Sequence, residues 1–319
     1  MTLKTPGIHH VTSIVGEPQR NIDFYTNLLG LRLLKVTVNF DRPATYHLYF
    51  GSFTGSPGTI LTTFPWPGDR SGTIGAGQVT ATSFAIPEGA TRFWIDRLTQ
   101  HGVDVSKPER RFEDEVITFT DPDGLLNELV SRPGATSAAT WPGESVPHEF
   151  ATTGFAGVTL TSTAPERTAE VLTDLLGFTL IGESDRLHRY VADRDAPGAV
   201  VDIVADPEGA RGSEGPGTVH HVAWRTRDDA EQAEWRKLLI DAGLKVTEVR
   251  DRSYFKSIYF QEPGGVLFEI ATDPPGFTLD EPLDALATGL RLPPWYEDRR
   301  GKIEPGLQPI HLPNGRSLP

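Results

Sequence analysis

Cysteine is absent from this 319-residue chain, which excludes disulfides, thiolate metal ligands and a cysteine nucleophile. Positive charge is scarce: 30 Lys and Arg residues face 43 Asp and Glu residues, a net charge of −13. Without a long basic run to contact phosphates, nucleic-acid binding is not expected. There is also no apolar run of about 20 residues to cross a bilayer. The first residues, MTLKTPG, show no signal-peptide core. These absences favour a cytoplasmic protein without a membrane partner.

Glycine and proline are abundant, at 32 and 26 residues, as in a β-rich protein with many turns. The chain also repeats itself. Aligning WIDRLTQHGVDV with WRKLLIDAGLKV pairs Trp94 with Trp235, and the same spacing of 141 residues carries Glu128 to Glu269 without a gap. The segments YTNLLGLRLL and LTDLLGFTLI match at a second spacing, 147 residues. Self-similarity of this kind indicates that one structural unit occurs several times.

Each repeat predicts a strand, a helix and a further run of strands. In the first, IHHVTSIV predicts the opening strand, and PQRNIDFYTNLLG predicts a helix with proline near its start and glycine at its end. Later segments rich in β-branched and aromatic residues predict strands. The predicted fold class is therefore α+β, with four βαβββ modules at residues 7–76, 77–150, 151–216 and 217–277. The proline-rich residues 278–319 predict a C-terminal strap over the body, with a disordered end as the alternative.

Histidine pairs open the first and fourth modules, in GIHHVTSIV and TVHHVAWRT, and these pairs take four of the nine histidines. The matching positions of the second and third modules hold Thr80 and Gly157. The fourth module also ends with a glutamate, Glu269, whose counterpart in the second module is Glu128. Two imidazoles and one carboxylate are a ligand set that non-haem iron(II) enzymes favour, because it leaves positions open for substrate and oxygen.

These features resemble the vicinal oxygen chelate superfamily, in which paired βαβββ modules curl into a half-open barrel around a metal. The segments DPDGLLNELV and EPGGVLFEIA are similar to its characteristic last turn and strand, and the resemblance extends from residue 7 to about residue 277. It implies that His10, His221 and Glu269 are the metal ligands. Since three ligands must reach one ion, the first module must then pack against the fourth, and the second against the third.

A narrower resemblance rests on GIHHVTSIV, HHVAWR and DRSYFKSIYFQEPGGVLFEIATDPPGF. These segments are similar to hydroquinone-type ring-cleaving dioxygenases, such as the 2,6-dichlorohydroquinone 1,2-dioxygenases. The resemblance implies an enzyme with Fe(II), or alternatively Mn(II), that opens a hydroquinone-like aromatic ring with O2. It also implies that His9, Thr12, Arg252 and Tyr259 lie on the substrate side.

Strand geometry adds roles for the residues around the ligands. Adjacent strand residues face opposite sides, so His9 and His10 are not expected to point straight at the same ion. His9 and His220 are therefore predicted to neighbour the ligands or the substrate, where an imidazole could take up and return a proton. Hydrogen bonding at the strand edge is the alternative role for both. Tyr259 and Arg252 are predicted hydrogen-bond donors to a phenolate or to a reduced oxygen species.

Three other functions stay open at this point. Catechol extradiol dioxygenases resemble the chain less, because they take both histidine ligands from consecutive modules, and Gly157 occupies the third-module position. A metal-dependent isomerase of the glyoxalase type typically uses a second glutamate, which the first-module strand GTILTTF does not offer. A metal-free binding or resistance protein needs no ligand trio. A homo-oligomer is an expectation from the architecture alone.

Overall fold

The computed structural model describes residues 3–135, 145–192 and 198–318. The first module comprises β1 (Ile8–Val15), α1 (Pro18–Asp23), β2 (Arg32–Val38), β3 (Tyr46–Gly51) and β4 (Ile60–Pro65). The second comprises β5 (Gln78–Ile86), α2 (Thr91–Gln100), β6 (Glu109–Arg111), β7 (Asp114–Thr120) and β8 (Leu126–Ser131). The third comprises β9 (Phe155–Ser162), α3 (Pro165–Glu170), β10 (Thr179–Ser184), β11 (Leu187–Val191) and β12 (Val200–Ala205). The fourth comprises β13 (Thr218–Thr226), α4 (Asp229–Asp241), β14 (Arg250–Asp251), β15 (Lys256–Gln261) and β16 (Leu267–Thr272).

The sixteen module strands form two eight-stranded sheets. One sheet joins the first and fourth modules in the order β14-β15-β16-β13-β1-β4-β3-β2, and the other joins the third and second modules in the order β10-β11-β12-β9-β5-β8-β7-β6. In each sheet the two opening strands pair antiparallel at the centre, β1 with β13 and β5 with β9. The predicted α+β fold is confirmed, including the pairing of module one with four and two with three. The exact module boundaries stay predictions.

The matching helices share an irregularity that follows the repeat. α1 and α3 each start with proline, which suits the first helical turn because it has no N–H to lose. Each then widens into a π-helical turn, at Phe24–Leu28 and Val171–Leu175, 147 residues apart. Gly30 follows the first turn with φ +73°, a left-handed conformation that favours glycine at a helix end.

The helices bury their apolar sides against the sheets, and tryptophans lie at the centre of this packing. Trp94 of α2 and Trp235 of α4 are both fully buried, at the equivalent positions that the 141-residue repeat predicts. In the first sheet, by contrast, many buried side chains are polar. His10, Thr12 and Glu269 are each no more than 2% exposed. Because buried polar groups need partners, this polar interior is a candidate functional site.

The C-terminal residues run back over the first module. The segment contains two short helices and a two-stranded ribbon: α5 (Pro294–Glu297), α6 (Arg300–Ile303), β17 (Ile310–His311) and β18 (Ser317–Leu318). Lys35 of β2 is fully buried and donates to the carboxylates of Asp280 and Glu281. The Tyr296 hydroxyl donates to the Phe40 carbonyl at 2.8 Å, so the strap holds the loop that follows β2. None of the helices in the described ranges is both long and apolar enough to span a bilayer.

Candidate metal centre

Three buried side chains from neighbouring strands of the first sheet converge on one point. His10 lies on β1, His221 on β13 and Glu269 on β16. The Nε2 atoms of the two histidines are 3.2 Å apart. Glu269 Oε2 lies 3.4 Å from His10 Nε2 and 2.9 Å from His221 Nε2. Among the described residues, this is a group that could hold a metal ion.

The size and chemistry of the trio fit a divalent cation. Ligand atoms about 2.1 Å from an ion and at right angles to each other are about 3 Å apart, close to the three distances observed. Glu269 Oε1 accepts from the Ser257 hydroxyl, whereas the buried Oε2 faces the two Nε2 atoms without a hydrogen bond of acceptable geometry from the described residues. A buried carboxylate oxygen left without a partner is costly, and a bound cation would remove that cost.

The protonation states also favour a cation. Burial lowers the pKa of His221 to about 3, so this imidazole is neutral at neutral pH. Burial alone would raise the pKa of Glu269, but the neighbouring His10 and His221 outweigh it and hold the pKa well below its ordinary value. The site therefore presents a carboxylate anion beside a neutral imidazole, which are the forms that bind metals.

The repeated doublets have a structural explanation. His10 Nδ1 lies 2.9 Å from the Nδ1 of His9, and His221 Nδ1 lies 2.7 Å from the Nδ1 of His220. With Nε2 turned toward an ion, each ligand's Nδ1 carries the hydrogen and donates it to the preceding imidazole. Metal-binding histidines are commonly oriented by such a bond from their other ring nitrogen. Each doublet thus places a candidate ligand next to an imidazole that can orient it.

The two leading histidines of the doublets differ in position. His220 is half-buried and lines the cavity next to the trio. His9 is 1% exposed, packs edge-on against Phe255 and is not among the residues that line this cavity. Burial lowers the pKa of both imidazoles. The pairing of β1 with β13 shifts register between Ile8 and His10, an irregularity at the position of the doublet.

Two members of the trio, His10 and His221, line a cavity of about 170 Å³. Its lining combines aromatic and polar side chains: His10, Thr12, Asn39, Phe40, Asp41, Arg42, His47, Phe64, Trp66, His220, His221, Arg252, Phe255 and Tyr259. Four residues predicted to neighbour the substrate or the ligands, Thr12, His220, Arg252 and Tyr259, are among them. A larger cleft of about 280 Å³ lies between the first module and the strap. It includes none of the trio, so the smaller cavity is the chemically relevant one.

Arg252 and Tyr259 form one wall of the cavity. Arg252 Nε donates to the Tyr259 hydroxyl at 3.2 Å, and its Nη2 donates to Asp41 at 3.0 Å. Burial alone would lower the pKa of Arg252, but Tyr259 and Asp41 raise it above its ordinary value. Burial and the charge of Glu269 raise the pKa of Tyr259, so its hydroxyl keeps its proton at neutral pH. The wall therefore offers a fixed cation and a neutral donor to an anionic oxygen.

Sequence reasoning missed several lining residues. Phe40 and Asp41 belong to the loop between β2 and β3, which comes to the cavity only through tertiary packing. His47 was also missed. Its strand, YHLYFG, carried a usable signal, because His47 and Tyr49 alternate with the core residues Tyr46, Leu48 and Phe50.

In the second sheet, ion pairs fill the region that is equivalent to the trio of the first sheet. Glu128, the counterpart of Glu269, accepts from the Arg111 guanidinium with both oxygens, at 2.6 and 2.9 Å. The Ser83 hydroxyl also donates to it, at 2.6 Å. Asp202 lies 3.6 Å from Arg111 and accepts from Arg189. A guanidinium thus occupies the position next to this carboxylate, and a structural role for Glu128 agrees with the contacts.

Comparisons of the sequence with a family model and with curated proteins agree on one family. The model of the Glyoxalase/Bleomycin resistance protein/Dioxygenase superfamily matches residues 7–129 and 154–270. A Bacillus subtilis (strain 168) protein named "Putative ring-cleaving dioxygenase MhqO" is 49% identical over 312 residues, covering 98% of this chain and 99% of the relative. The "Chlorohydroquinone/hydroquinone 1,2-dioxygenase" of Sphingobium indicum (strain UT26) is 34% identical over 310 residues, covering 94% and 95% of the two chains.

A solved structure shows the same fold. The crystal structure of a protein described as "putative dioxygenase" from Bacillus subtilis subsp. subtilis str. 168 superposes with a TM-score of 0.93 at 48% sequence identity. The match covers 97% of this chain and 99% of that one.

Proposed function

The chain belongs to the Glyoxalase/Bleomycin resistance protein/Dioxygenase superfamily, and we propose that it is an Fe(II)-dependent dioxygenase that opens hydroquinone-like aromatic rings with O2. The observation that carries the proposal is the convergence of two buried imidazoles and one carboxylate beside an aromatic-lined cavity. The name of the Sphingobium relative supports hydroquinone as the substrate class. Cytoplasmic location and a homo-oligomer stay predictions.

In this proposal His10, His221 and Glu269 hold the metal. Bound Fe(II), or alternatively Mn(II), would supply a redox-active centre at which an aromatic substrate and O2 react. The trio would hold the ion beside the cavity in which the aromatic substrate would bind. The polar groups that orient the trio, Ser257 on Glu269 and the leading histidine of each doublet, fix the ligand side chains.

Other residues of the chain act on the substrate. Arg252 and Tyr259 offer a cation and a neutral O–H to a phenolic oxygen, which favours its deprotonated form. His220, half-buried at the cavity wall, is placed to take a proton from the second hydroxyl or to return one after ring opening. Phe40, Phe64 and Phe255 line the apolar part of the cavity and limit the access of water.

The cavity volume restricts the substrate to one ring. A protein cavity of about 150 Å³ holds a benzene molecule, and this cavity measures about 170 Å³. A hydroquinone with small substituents fits that space, whereas two linked rings need a considerably larger one. Single-ring hydroquinones are therefore the preferred class.

The glyoxalase-type isomerase is disfavoured by one contact. The closing strand of the first module, β4, presents Thr62 beside Thr12 rather than a carboxylate. A second glutamate ligand, expected for that isomerase, is thus missing from the first sheet at this position. The proposal of an oxygen-dependent reaction follows from three protein ligands instead of four.

Oxygen uptake by the Fe(II)-loaded protein tests the proposal. We expect O2 consumption with single-ring hydroquinones, about one iron per chain, and no product under argon. Glu269→Gln removes the ligand charge and should lower both activity and iron content at least about 100-fold. Glu128→Gln is the matched control at the equivalent position of the second sheet and should keep its iron. Unchanged turnover under argon, or full activity of Glu269→Gln, would refute the proposal.

A further inference from the structure

A row of polar residues crosses the first sheet, starting next to the metal centre. In the strand register, His221 of β13 lies opposite Thr12 of β1, Thr12 beside Thr62 of β4, and Thr62 opposite Tyr49 of β3. Thr12 and Thr62 are each no more than 1% exposed, and Tyr49 is fully buried. His221 and Thr12 have proposed roles at the site, but no role assigned so far explains the polar side chains of Thr62 and Tyr49.

Three side chains of the row, Tyr49, Thr62 and Thr12, form one continuous hydrogen-bonded chain together with His47. The Tyr49 hydroxyl lies 2.9 Å from His47 Nδ1, and His47 Nε2 lies 2.9 Å from Thr62 Oγ1. Thr62 Oγ1 lies 2.8 Å from Thr12 Oγ1. Thr12 and His47 line the cavity, whereas Tyr49 and Thr62 lie behind it. The chain therefore connects the protein interior with the cavity wall beside His10.

Counting hydrogens gives this chain a direction. Within the described residues, the Tyr49 hydroxyl contacts only His47, so its hydrogen is used only if His47 Nδ1 accepts it. His47 Nε2 then carries the ring hydrogen and donates to Thr62. Thr62 in turn donates to Thr12, because the reverse direction would leave the hydrogen of Thr62, which is fully buried behind the cavity, without an acceptor among the described residues. Reversing the direction would leave the hydrogen of a fully buried tyrosine without an acceptor, which is unfavourable.

We propose that Tyr49, His47 and Thr62 are positioning residues that turn the hydroxyl hydrogen of Thr12 into the cavity. Every other hydrogen of the chain is already donated, so Thr12 has one remaining hydrogen and no described protein acceptor for it. Its partner is then an oxygen of the bound molecule. Resting on the proposed function, we assign it to a phenolic oxygen of a single-ring hydroquinone.

The arrangement fits an anionic oxygen. Arg252 and Tyr259 supply donors on one wall, and Thr12 supplies a donor on the β1 wall. Burial and the nearby His10 keep the pKa of His47 well below its ordinary value, so its ring stays neutral and keeps one donor and one acceptor nitrogen. The direction of the chain is therefore stable across the neutral pH range.

A double-mutant cycle on substrate affinity tests this relay, the hydrogen-bonded chain from Tyr49 through His47 and Thr62 to Thr12. Hydroquinone binding is measured under argon, so that no turnover occurs, with the metal-loaded protein. Thr12→Val removes the donor and should weaken binding about 10- to 100-fold, as for a hydrogen bond to a charged oxygen. Tyr49→Phe leaves Thr12 in place but removes the directing hydrogen, and should weaken binding at least about threefold.

The double variant Thr12→Val, Tyr49→Phe distinguishes an effect through Thr12 from an effect of packing. In the Thr12→Val background, Tyr49→Phe should have no further effect on affinity, because Tyr49 acts only through Thr12. Additive losses would overturn the proposal, since Tyr49 would then act by packing. His47→Gln, which can still donate to Thr62, should retain more affinity than His47→Leu. Thermal unfolding of each variant checks that the loss is not one of folding.

The tautomer of His47 provides a measurement that needs no substrate. Nitrogen-15 NMR of histidine-labelled protein, loaded with diamagnetic Zn(II), should show His47 protonated at Nε2 and not at Nδ1. The opposite tautomer would overturn the relay. Hydroquinone binding without any O2 consumption would refute the proposed dioxygenase but leave the relay standing. Additive losses in a protein that consumes O2 would refute only the relay.

Discussion

At the scale of single residues, the histidine doublets show how one side chain can orient the next. His10 is the candidate ligand, and His9 contributes the Nδ1 atom 2.9 Å from it. The sequence predicted that the two imidazoles would have different roles, because alternation sends neighbours to opposite faces. It could not predict that they contact each other, since that contact depends on the side-chain rotamers and on the local register shift of β1.

Removing this neighbour should weaken metal binding. We expect His9→Ala to lower the affinity for Fe(II) or Zn(II) about 10- to 100-fold, as is typical when the partner of a ligating imidazole is lost. His9→Asn, whose amide oxygen can accept the same hydrogen, should recover part of the loss. Competition with a chromogenic chelator measures the affinity directly. Equal affinities for wild type and His9→Ala would show that the contact does not orient the ligand.

Asp121 makes a pH-dependent contribution to stability. Burial raises its pKa to about 6, against an ordinary value of 3.8, while Tyr25 donates to it at 3.2 Å. The folded protein therefore binds a proton that the unfolded chain binds only at lower pH. This contribution to stability is complete below about pH 4 and is lost as the pH rises through 6.

Asp121→Asn should remove this pH dependence. Relative to the variant, the wild type is expected to lose about 2.5 kcal/mol of unfolding free energy between pH 4 and pH 7, from a shift of roughly two units. Urea unfolding at several pH values gives the difference between the two proteins. Asp241→Asn, on the exposed side of α4, is the control and should run parallel to the wild type. Parallel curves for Asp121→Asn would contradict the assignment.

At the scale of secondary-structure elements, the internal repeats predicted which positions of the modules are equivalent. They gave no information about the segment that has no repeat. The spacing of 141 residues placed Trp94 and Trp235, and Glu128 and Glu269, at equivalent positions, and the structure agrees. The strap had no repeat partner. Its contacts, such as the Trp295 ring 5.4 Å from that of Phe40, join positions far apart in sequence without a periodic signal. Its path therefore depended on tertiary packing that the sequence alone does not reveal.

In the second sheet, ion pairs fill the region equivalent to the trio of the first sheet. Their contribution to the free energy of unfolding can be measured. Arg111→Ala leaves the buried Glu128 and Asp202 carboxylates without this cation. We expect a loss of about 3 kcal/mol of unfolding free energy, at the lower end for a broken buried pair because Arg111 is one-quarter exposed. Lys237→Ala, which breaks an exposed pair on α4, should cost under about 1 kcal/mol.

A double variant separates the charge from the packing. Arg111→Met combined with Glu128→Leu removes both charges and keeps most of the volume, so it should cost less than Arg111→Ala alone. Urea unfolding at neutral pH measures the free energy of unfolding of the wild type, of Arg111→Ala and of the double variant. If the double variant were the least stable, packing around Arg111 rather than its charge would be the dominant contribution.

At the scale of the whole molecule, the order of modules along the chain differs from their order in space. The family model matches two consecutive segments, 7–129 and 154–270, yet each sheet takes one module from each segment. The sequence predicted this nested arrangement from ligand chemistry, because His10 and His221 stand 211 residues apart and must share one ion. Composition and local periodicity alone would not have distinguished it from two consecutive pairs.

This nesting makes the two halves of the chain interdependent. Fragment 1–150 contains β1 without β13 and β5 without β9, so the central strand pair of both sheets is broken. It also holds His10 but neither His221 nor Glu269. We expect fragments 1–150 and 151–319 each to lack cooperative unfolding and to bind no Fe(II) tightly, because each would expose the inner strand edges of two half-built sheets.

Together, the two fragments should restore what each lacks. Co-expression is expected to give a 1:1 complex with cooperative unfolding and about one metal per complex, since the ligands from both fragments meet again only in the reassembled first sheet. Calorimetry, metal analysis and size-exclusion chromatography measure these properties. A complex with His221→Ala in the second fragment should still assemble, because the sheets remain, but should lose the metal. A single fragment that folds and binds the ion alone would contradict the shared site, since no fragment holds all three ligands.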